Sequence, residues 1–203
     1  MRDKPFAVSS ERNAAAILEV LHSEFRDCAE VLEIGSGTGQ HAVHFAASLD
    51  HLHWQSSDLD ENHPGIRAWI EDSGLHNIAA PLSLDVRRAV VTQAGYDGVY
   101  SANTAHIMSY GAVTNMFALV GKALRPEGVF CLYGPFRVAG RFNTDSNEAF
   151  DASLRARNPD MGIRDLLDLD SLGAQSALSR QRLYAMPSNN NIAVWRKVPG
   201  RVQ

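Results

Sequence analysis

Apolar and polar positions follow two different periods along this chain, and each period predicts one type of element. Short apolar runs bounded by turn residues predict strands over residues 31–34, 51–57, 77–84, 96–101 and 129–133. Apolar residues three and four positions apart predict helices between these strands, over residues 38–49, 66–70 and 113–124. Because strands and helices alternate, we expect an α/β fold in which helices cover both faces of a mostly parallel sheet.

The second half of the chain departs from this alternation. Residues 178–186 and 191–198 predict two strands joined by a turn, an antiparallel hairpin that closes the sheet. The preceding stretch, residues 137–172, is rich in polar side chains. It contains two predicted helices, over residues 149–157 and 163–172. We expect this insertion to form a substrate wall, since loops at the carboxyl edge of a sheet carry specificity; a solvated connector is the alternative.

A further helix is predicted before the first strand, within residues 1–28. Its apolar residues recur at helical spacing, at Ala14, Ile17, Leu18, Leu21 and Phe25. Ser9 or Ser10 is the expected N-cap. This helix lies outside the βαβ repeat, so we expect it to cover a ligand site, with Arg12 and Asn13 facing the ligands. A solvated helix start is the alternative.

Composition narrows the class of protein. The chain has 203 residues, of which 45% are hydrophobic and 21% charged, with a net charge of −4; with no repeat or linker, residues 1–203 are predicted to form a single domain. No basic run indicates a nucleic-acid groove, and no apolar stretch or leader indicates a membrane partner. Cys28 and Cys131 show no disulfide or metal spacing, so we expect a cytoplasmic protein without bound metal. The oligomeric state is left open.

The candidate chemistry is concentrated where the first strand ends. Gly35, Gly37 and Gly39 follow the apolar run at every second position, and helix-favouring residues come next. A strand, a glycine turn and a helix form the nucleotide-binding βα unit, in which the helix N-terminus offers free N–H groups. The dinucleotide fingerprint G-x-G-x-x-G is not met, because Gln40 stands where its third glycine would fall. A glycine turn without a ligand is the alternative.

Polar residues follow the other predicted strands, at positions that meet the same edge of the sheet. Asp58 ends the second strand about 20 residues past the glycine loop, where a carboxylate grips a pair of ribose hydroxyl groups. Asp60 is the weaker candidate, because a helix N-cap explains it. Ser101, Asn103 and His106 end or follow the fourth strand and are therefore placed at the same crevice.

Glu33 stands two residues before the first glycine, and the resulting E-x-G-x-G-x-G pattern resembles the first motif of class I S-adenosylmethionine (SAM)-dependent methyltransferases. A second resemblance, to their fourth strand, is carried by Tyr96-Asp97-x-Val99-x-Ser101. Together they imply a Rossmann-like doubly wound sheet, SAM as the cofactor, and an Asp85 that meets the adenine amine. The expected cofactor-binding residues are Glu33, Gly35, Ser36, Gly37, Gly39, Gln40, Asp58, Asp85, Ser101 and Asn103.

Longer segments resemble one group within this superfamily, the methyltransferase-like 26 family of uncharacterised methyltransferase-like proteins. They include Glu11-Arg12-Asn13, residues 36–41, Tyr133-Gly134-Pro135-Phe136, Gly140-Arg141-Phe142 and residues 150–155. The match extends over nearly the whole chain. It implies a methyltransferase fold and a cofactor, and it names no reaction.

Methyl transfer from SAM is an in-line displacement, in which the acceptor atom lies roughly 3 Å from the methyl group. His106 has the intrinsic pKa of a general base, with a structural role as the alternative. Tyr133 is the second catalytic candidate. The candidate substrate-binding residues are Arg12, Asn13, Arg141 and Asn147. We expect a small polar or carboxylated acceptor, held by the arginines of residues 137–164.

Other functions have weaker support. Ser101-Ala102-Asn103-Thr104 is not the Asn/Asp-Pro-Pro-Tyr/Phe motif of amide and base N-methyltransferases, and neither cysteine follows a proline as in cytosine C5 enzymes. A nicotinamide-dependent oxidoreductase would need the dinucleotide fingerprint, and in the short-chain group a Tyr-x-x-x-Lys pair that this sequence lacks. A catalytically inactive SAM-binding protein that acts through a partner is the remaining alternative.

Overall fold

The computed structural model describes residues 4–89 and 94–199. Its helices are α1 Val8–Glu24, α2 Gln40–Ser48, α3 His63–Ser73, α4 Tyr110–Ala123, α5 Asp145–Arg157 and α6 Leu166–Gln175. Its strands are β1 Glu30–Glu33, β2 His53–Asp58, β3 Ile78–Ser83, β4 Tyr96–Ala102, β5 Leu124–Gly134, β6 Phe136–Arg137, β7 Arg164–Asp165, β8 Leu178–Met186 and β9 Asn190–Lys197. Each predicted element is present, most of them with displaced ends, and the short strands β6 and β7 are additional.

A seven-stranded sheet runs in the order β3-β2-β1-β4-β5-β9-β8. The strands from β3 to β5 pair in parallel, and β9 pairs antiparallel with both β5 and β8. The chain order reverses between β1 and β4, and a crevice forms at the carboxyl ends of strands at such a switch point. The predicted α/β fold, a mostly parallel sheet with an antiparallel closing hairpin, is confirmed.

The pleat of β5 divides its side chains between two apolar layers. Phe130 packs into the layer beneath α4 and α6, whereas its neighbour Cys131 packs into the layer beneath α1 and α2. Aromatic rings meet edge to face in each layer, with centroids 5.3 Å apart for Phe117 and Trp195. Helices therefore cover both faces of the sheet, as predicted. No helix within residues 4–89 and 94–199 is long and apolar enough to cross a membrane.

Several helix starts differ from the prediction, and the N-cap residues explain two of them. The expected cap of the first helix at Ser9 or Ser10 is wrong, because α1 begins at Val8, and its N-cap Ala7 has no side-chain acceptor. Helix α5 begins four residues earlier than predicted from the apolar pattern. Thr144 explains this start, since its side chain accepts the N–H of Asn147 and caps a polar first turn.

Candidate functional site

The glycine loop between β1 and α2 is held in a tight turn. Gly35, Gly37 and Gly39 have φ angles of 76°, 56° and 91°, in the left-handed range that glycine adopts without a steric penalty. The carbonyl of Ser57, on β2, accepts the N–H of Gly35 at 3.0 Å. A Cβ added to Gly39 would lie 2.9 Å from Ile66 Cα, so α3 packs directly against the loop. Both β2 and α3 therefore fix its position.

Asp58 closes the other side of this loop from the carboxyl end of β2. Its Oδ2 accepts the N–H of Gly37 at 2.6 Å, and its Oδ1 accepts the N–H of Leu59 at 2.7 Å and the Asn62 amide at 2.9 Å. The residue is only 8% exposed. Because a carboxylate has about four lone-pair positions, Asp58 holds the loop and keeps one position for a further donor.

A cavity of about 750 Å³ lies at the carboxyl edge of the sheet, beside this loop. Its volume is typical of a site that encloses a small ligand. The sequence-predicted residues on its wall are Glu33, Gly35, Ser36, Gly37, Asp58, Asp85 and Asn103. The structure thus brings together residues from the carboxyl ends of β1, β2, β3 and β4, as expected for parallel strands.

The wall of this cavity is acidic. Its carboxyl groups belong to Glu33, Asp58, Glu61, Asp85 and Asp160. Among the described residues of the wall, Arg87 is the one arginine or lysine, and its Nε and Nη2 donate to Asp85 at 2.8 and 2.7 Å. These hydrogen bonds lower the pKa of Asp85 to about 2. The carboxylates outnumber the cation, so the cavity favours a cationic ligand.

Glu33 is buried beneath the glycine loop. Ser36 Oγ and Trp54 Nε1 donate to its Oε2 at 2.8 and 3.2 Å. Burial raises the pKa of Glu33 to about 7, although both hydrogen bonds act in the opposite direction.

Within the described part of the chain, no group of three or more His, Cys, Asp or Glu residues is arranged to hold a metal ion.

The raised pKa of Glu33 makes the stability of the fold depend on pH. This carboxyl group ionises at its ordinary pKa of 4.5 when unfolded and at about 7 when folded. Between these values the folded state binds more protons, so this contribution to stability falls as the pH rises. In Glu33→Gln the amide oxygen accepts the same hydrogen bonds but does not ionise. We therefore expect the free energy of unfolding of this variant, relative to wild type, to rise by about 3 kcal/mol as the pH increases from 4.5 to about 7.

Urea denaturation at several pH values measures this difference. Comparison with wild type isolates Glu33 from His41 and His106, whose lowered pKa values act in the opposite direction. Glu19→Gln, on the exposed face of α1, is the matched control and should run parallel to wild type. If the free energy of unfolding of Glu33→Gln changed with pH in the same way as that of wild type, the prediction would be contradicted.

The start of α1 forms one side of the cavity, where Ser9 and Ser10 lie on its wall. His41 Nε2 lies 3.0 Å from the carbonyl of Ser10 and 2.8 Å from Asn13 Oδ1. Both oxygens are acceptors, so Nε2 carries the proton. Burial lowers the pKa of His41 to about 4, and the neutral ring therefore docks α1 against α2. Sequence reasoning missed His41, although its position directly after the glycine loop was a usable signal.

Four residues that were predicted to bind the cofactor or the substrate do not lie on the cavity wall. Gln40 lies behind the loop, where its Oε1 accepts the N–H of Ala7 at 2.5 Å. Asn13 is buried and bonded to His41. Arg12 is exposed and Gly39 packs against α3, so both lie away from the cavity wall. Gln40 and Asn13 thus support two residues of the wall, Ala7 and His41, without facing the cavity themselves.

Ser101 supports the glycine loop from inside the sheet. It is fully buried, its Oγ donates to the carbonyl of Ile34 at 2.7 Å, and it lies 2.7 Å from Thr104 Oγ1. Thr104 does reach the cavity wall, and its Cγ2 would lie 2.7 Å from a Cβ added to Gly35. Thr104 was missed because it belongs to no motif; its place just past a strand end was the available signal.

His106, the candidate general base, lies away from the cavity wall. It is 7% exposed and packs edge-on against Phe150, with ring centroids 5.4 Å apart. Burial, followed by the charges of Arg164 and Arg157, lowers the pKa of His106 to about 4. The ring is therefore neutral near pH 7 and only weakly basic.

Tyr133, the second catalytic candidate, also lies away from the wall. It is 3% exposed and belongs to the apolar layer beneath α1 and α2. Burial raises the pKa of Tyr133, against hydrogen bonds from Asn13 and Asn190. Tyr133 is therefore a buried side chain of this layer whose hydroxyl stays protonated near pH 7.

The predicted insertion contributes Asn158 and Asp160 to the cavity wall. Asn147 is buried instead against the hairpin turn, where its Nδ2 donates to the carbonyl of Asn189 at 3.0 Å. Arg141 is exposed and lies away from the wall. Arg164 is buried and donates to the carbonyl oxygens of three residues, Ala105, Met108 and Asp160. Arg164 thus braces the chain after β4.

A protein-family model described as "Protein of unknown function (DUF938)" matches residues 4–197. The chain belongs to this family. The matched segment spans both the glycine loop and the closing hairpin, so the cavity lies within the DUF938 domain.

Three solved structures with the same fold are methyltransferases by name. An O-methyltransferase family protein from Burkholderia thailandensis has a TM-score of 0.80 at 12% identity, covering 93% of this chain and 57% of that chain. Mitomycin 7-O-methyltransferase MmcR has a TM-score of 0.80 at 14% identity, covering 94% and 54%. Human N-acetylserotonin methyltransferase, solved in complex with SAM, has a TM-score of 0.73 at 13% identity, covering 92% and 55%.

These similarities show that the DUF938 chain has the class I methyltransferase fold. The chain spans little more than half the length of each of these proteins. The fold predicted from the glycine motif is confirmed.

Proposed function

We propose that this DUF938 chain binds SAM in the cavity and transfers its methyl group to a small polar acceptor, and that it is a member of the methyltransferase-like 26 family. The acidic cavity wall is the observation that carries the proposal. SAM has a sulfonium and an ammonium group against one carboxylate, and is therefore a net cation, whereas a dinucleotide carries an anionic pyrophosphate. Asp58, Glu61 and Asp160 attract the first and repel the second.

The residues around the cavity fit SAM at several points. The open lone-pair position of Asp58 suits one ribose hydroxyl donor. A Cβ on Gly37 would meet no atom within 4 Å, so the loop leaves open space for a ligand beside its backbone. Glu33 suits the ammonium group, because both of its described hydrogen bonds go to Oε2 and leave Oε1 available.

The adenine end requires a rearrangement. Asp85 would accept from the adenine amine, but the Arg87 side chain already donates to both of its oxygens. Arg87 is 62% exposed at its side chain, so it can turn outward at little cost. We therefore assign the adenine contact to Asp85 after its release from Arg87.

Bound SAM would supply an electrophilic methyl group on sulfur. The chain contributes placement: the glycine loop and Asp58 hold the cofactor, while Thr104 and Asn103 line the side from which an acceptor can approach. His106 lies away from the cavity wall, and a pKa of about 4 makes it a poor general base. Because demethylated SAM would carry no sulfonium charge, the acidic wall would hold it less strongly than SAM.

Isothermal calorimetry with SAM and, separately, with NAD tests this proposal. We expect SAM to bind with a micromolar Kd, and NAD to bind at least about 10-fold more weakly because of its pyrophosphate. Tighter binding of NAD, or no binding of SAM, would overturn the proposed cofactor. Binding of SAM without turnover on a broad panel of acceptors would leave the cofactor and overturn the reaction.

A further inference from the structure

The side chain of Arg137 donates no hydrogen bond to any acceptor among the described residues. This residue follows the carboxyl end of β5 on strand β6, at the carboxyl edge of the sheet, and it is itself not part of the cavity wall. Its Nε is buried from solvent and has no hydrogen-bond partner among the described residues. The residue as a whole is only partly buried, so the outer edge of the guanidinium reaches solvent. Phe142 contacts its face, with the guanidinium carbon 5.6 Å from the ring centroid.

Two carboxylates near Arg137, those of Asp151 and Asp165, accept hydrogen bonds from other groups. Arg155 Nε donates to Asp151 Oδ2 at 2.6 Å, and the N–H of Ile163 donates to Asp151 Oδ1 at 2.6 Å. Asp165, which faces Arg137 in the β6–β7 pair, accepts the N–H groups of Gly140 and Leu167. A buried donor with no acceptor is unusual in a folded protein, and an absent ligand is one physical reason for it.

This arginine also belongs to a group of cations that borders the cavity. Arg164 feels the charges of Arg155 and Arg137 and is bonded to Met108 and Asp160, which both lie on the cavity wall. Burial and the neighbouring Arg155 lower the pKa of Arg164. These arginines therefore place positive charge beside an otherwise acidic cavity, next to the carboxylates of Asp151, Asp160 and Asp165.

We propose that the acceptor carries a carboxylate and that Arg137 binds it. The inference rests on the proposed function, because it names the chemical class of substrate for the same site. Because Nε is closed to solvent, a carboxylate must displace the packing on that side of the guanidinium before the orphaned Nε–H and one Nη–H can both donate to it. Phe150, 37% exposed beside His106, offers an apolar surface to the body of such a ligand.

Benzoate and benzamide are matched probes for this site, since they share a ring and differ in charge. We expect benzoate to bind the full-length protein about 10-fold more tightly than benzamide in an NMR titration, and to shift the Nε–H signal of Arg137. Arg137→Gln should abolish the preference. Arg137→Lys should retain a smaller preference, because an ammonium attracts the anion without the planar fork. Arg141→Gln, exposed on the following turn, is the control and should leave the preference unchanged.

Equal binding of the two probes, no binding of benzoate, or the same loss in Arg141→Gln would overturn the carboxylate site. Thermal unfolding of each variant establishes that it is folded. SAM titration of the same samples separates the two proposals, since SAM binding without a benzoate preference overturns only the acceptor class. A benzoate preference without SAM binding overturns only the cofactor.

Discussion

Replacing Asp58 with Ala is expected to weaken SAM binding by about 10-fold or more. The carboxylate would lose a charge-assisted hydrogen bond to the ribose, which contributes about 1.5–3 kcal/mol. The substitution also removes the acceptor that holds the Gly37 N–H at 2.6 Å, so the glycine loop becomes less ordered before the cofactor arrives. Both effects act in the same direction, and calorimetric titration with SAM measures their sum.

Asp60→Ala is the matched control, because Asp60 lies two residues further on with a side chain 80% exposed and away from the cavity wall. It should bind SAM like wild type. Asp58→Asn separates the two effects, since its amide oxygen can still accept the Gly37 N–H while the charge is lost. Unchanged SAM affinity in Asp58→Ala would show that this carboxylate holds the loop and does not contact the cofactor.

Gly39→Ala is expected to destabilise the fold by about 3 kcal/mol, roughly twice the effect of Gly37→Ala. The new Cβ at Gly39 would lie 2.9 Å from the Cα of Ile66, a backbone atom that cannot move without displacing α3. The φ of 91° adds strain for any residue with a Cβ. At Gly37 the added Cβ meets no atom within 4 Å, so only the cost of the left-handed backbone remains, about 1–2 kcal/mol.

Urea unfolding of the two alanine variants measures this contrast. Gly37→Ala should remain folded and lose SAM affinity, because its methyl group occupies open space beside the loop. Gly39→Ala should unfold at a lower urea concentration than Gly37→Ala. Equal losses of stability in both variants would mean that α3 shifts to accommodate the extra carbon and that Gly39 is not required for close packing.

The arrangement of strands and the acidic half of the site could be predicted from the sequence because the signals are local. Apolar periodicity marks each strand, and a carboxylate directly after a strand lies at its carboxyl end. Parallel strands bring those ends to one edge, so Asp58 and Asp85 meet the glycine loop in one cavity, although they lie far apart along the chain. No knowledge of packing was needed for that step.

The sequence did not indicate in which direction each of these side chains points. Ser101 and Tyr133 do lie at strand ends, but the pleat turns both side chains into the protein and away from the cavity. His106 was assigned by its intrinsic pKa, whereas burial and the neighbouring Arg164 lower the pKa to about 4. Which face a side chain takes, and which charges surround it, depend on elements that pack from elsewhere in the chain.

The sequence by itself therefore determined the class I methyltransferase fold, the glycine loop and the carboxylates at the strand ends, since each is a pattern within a few residues. Only the tertiary structure decided that the cavity wall is acidic, that His41 docks α1, and that Arg137 has no described acceptor. Those properties arise from contacts between residues distant in the chain. Burial and neighbouring charge, which set the chemistry of a site, exist only once such contacts form.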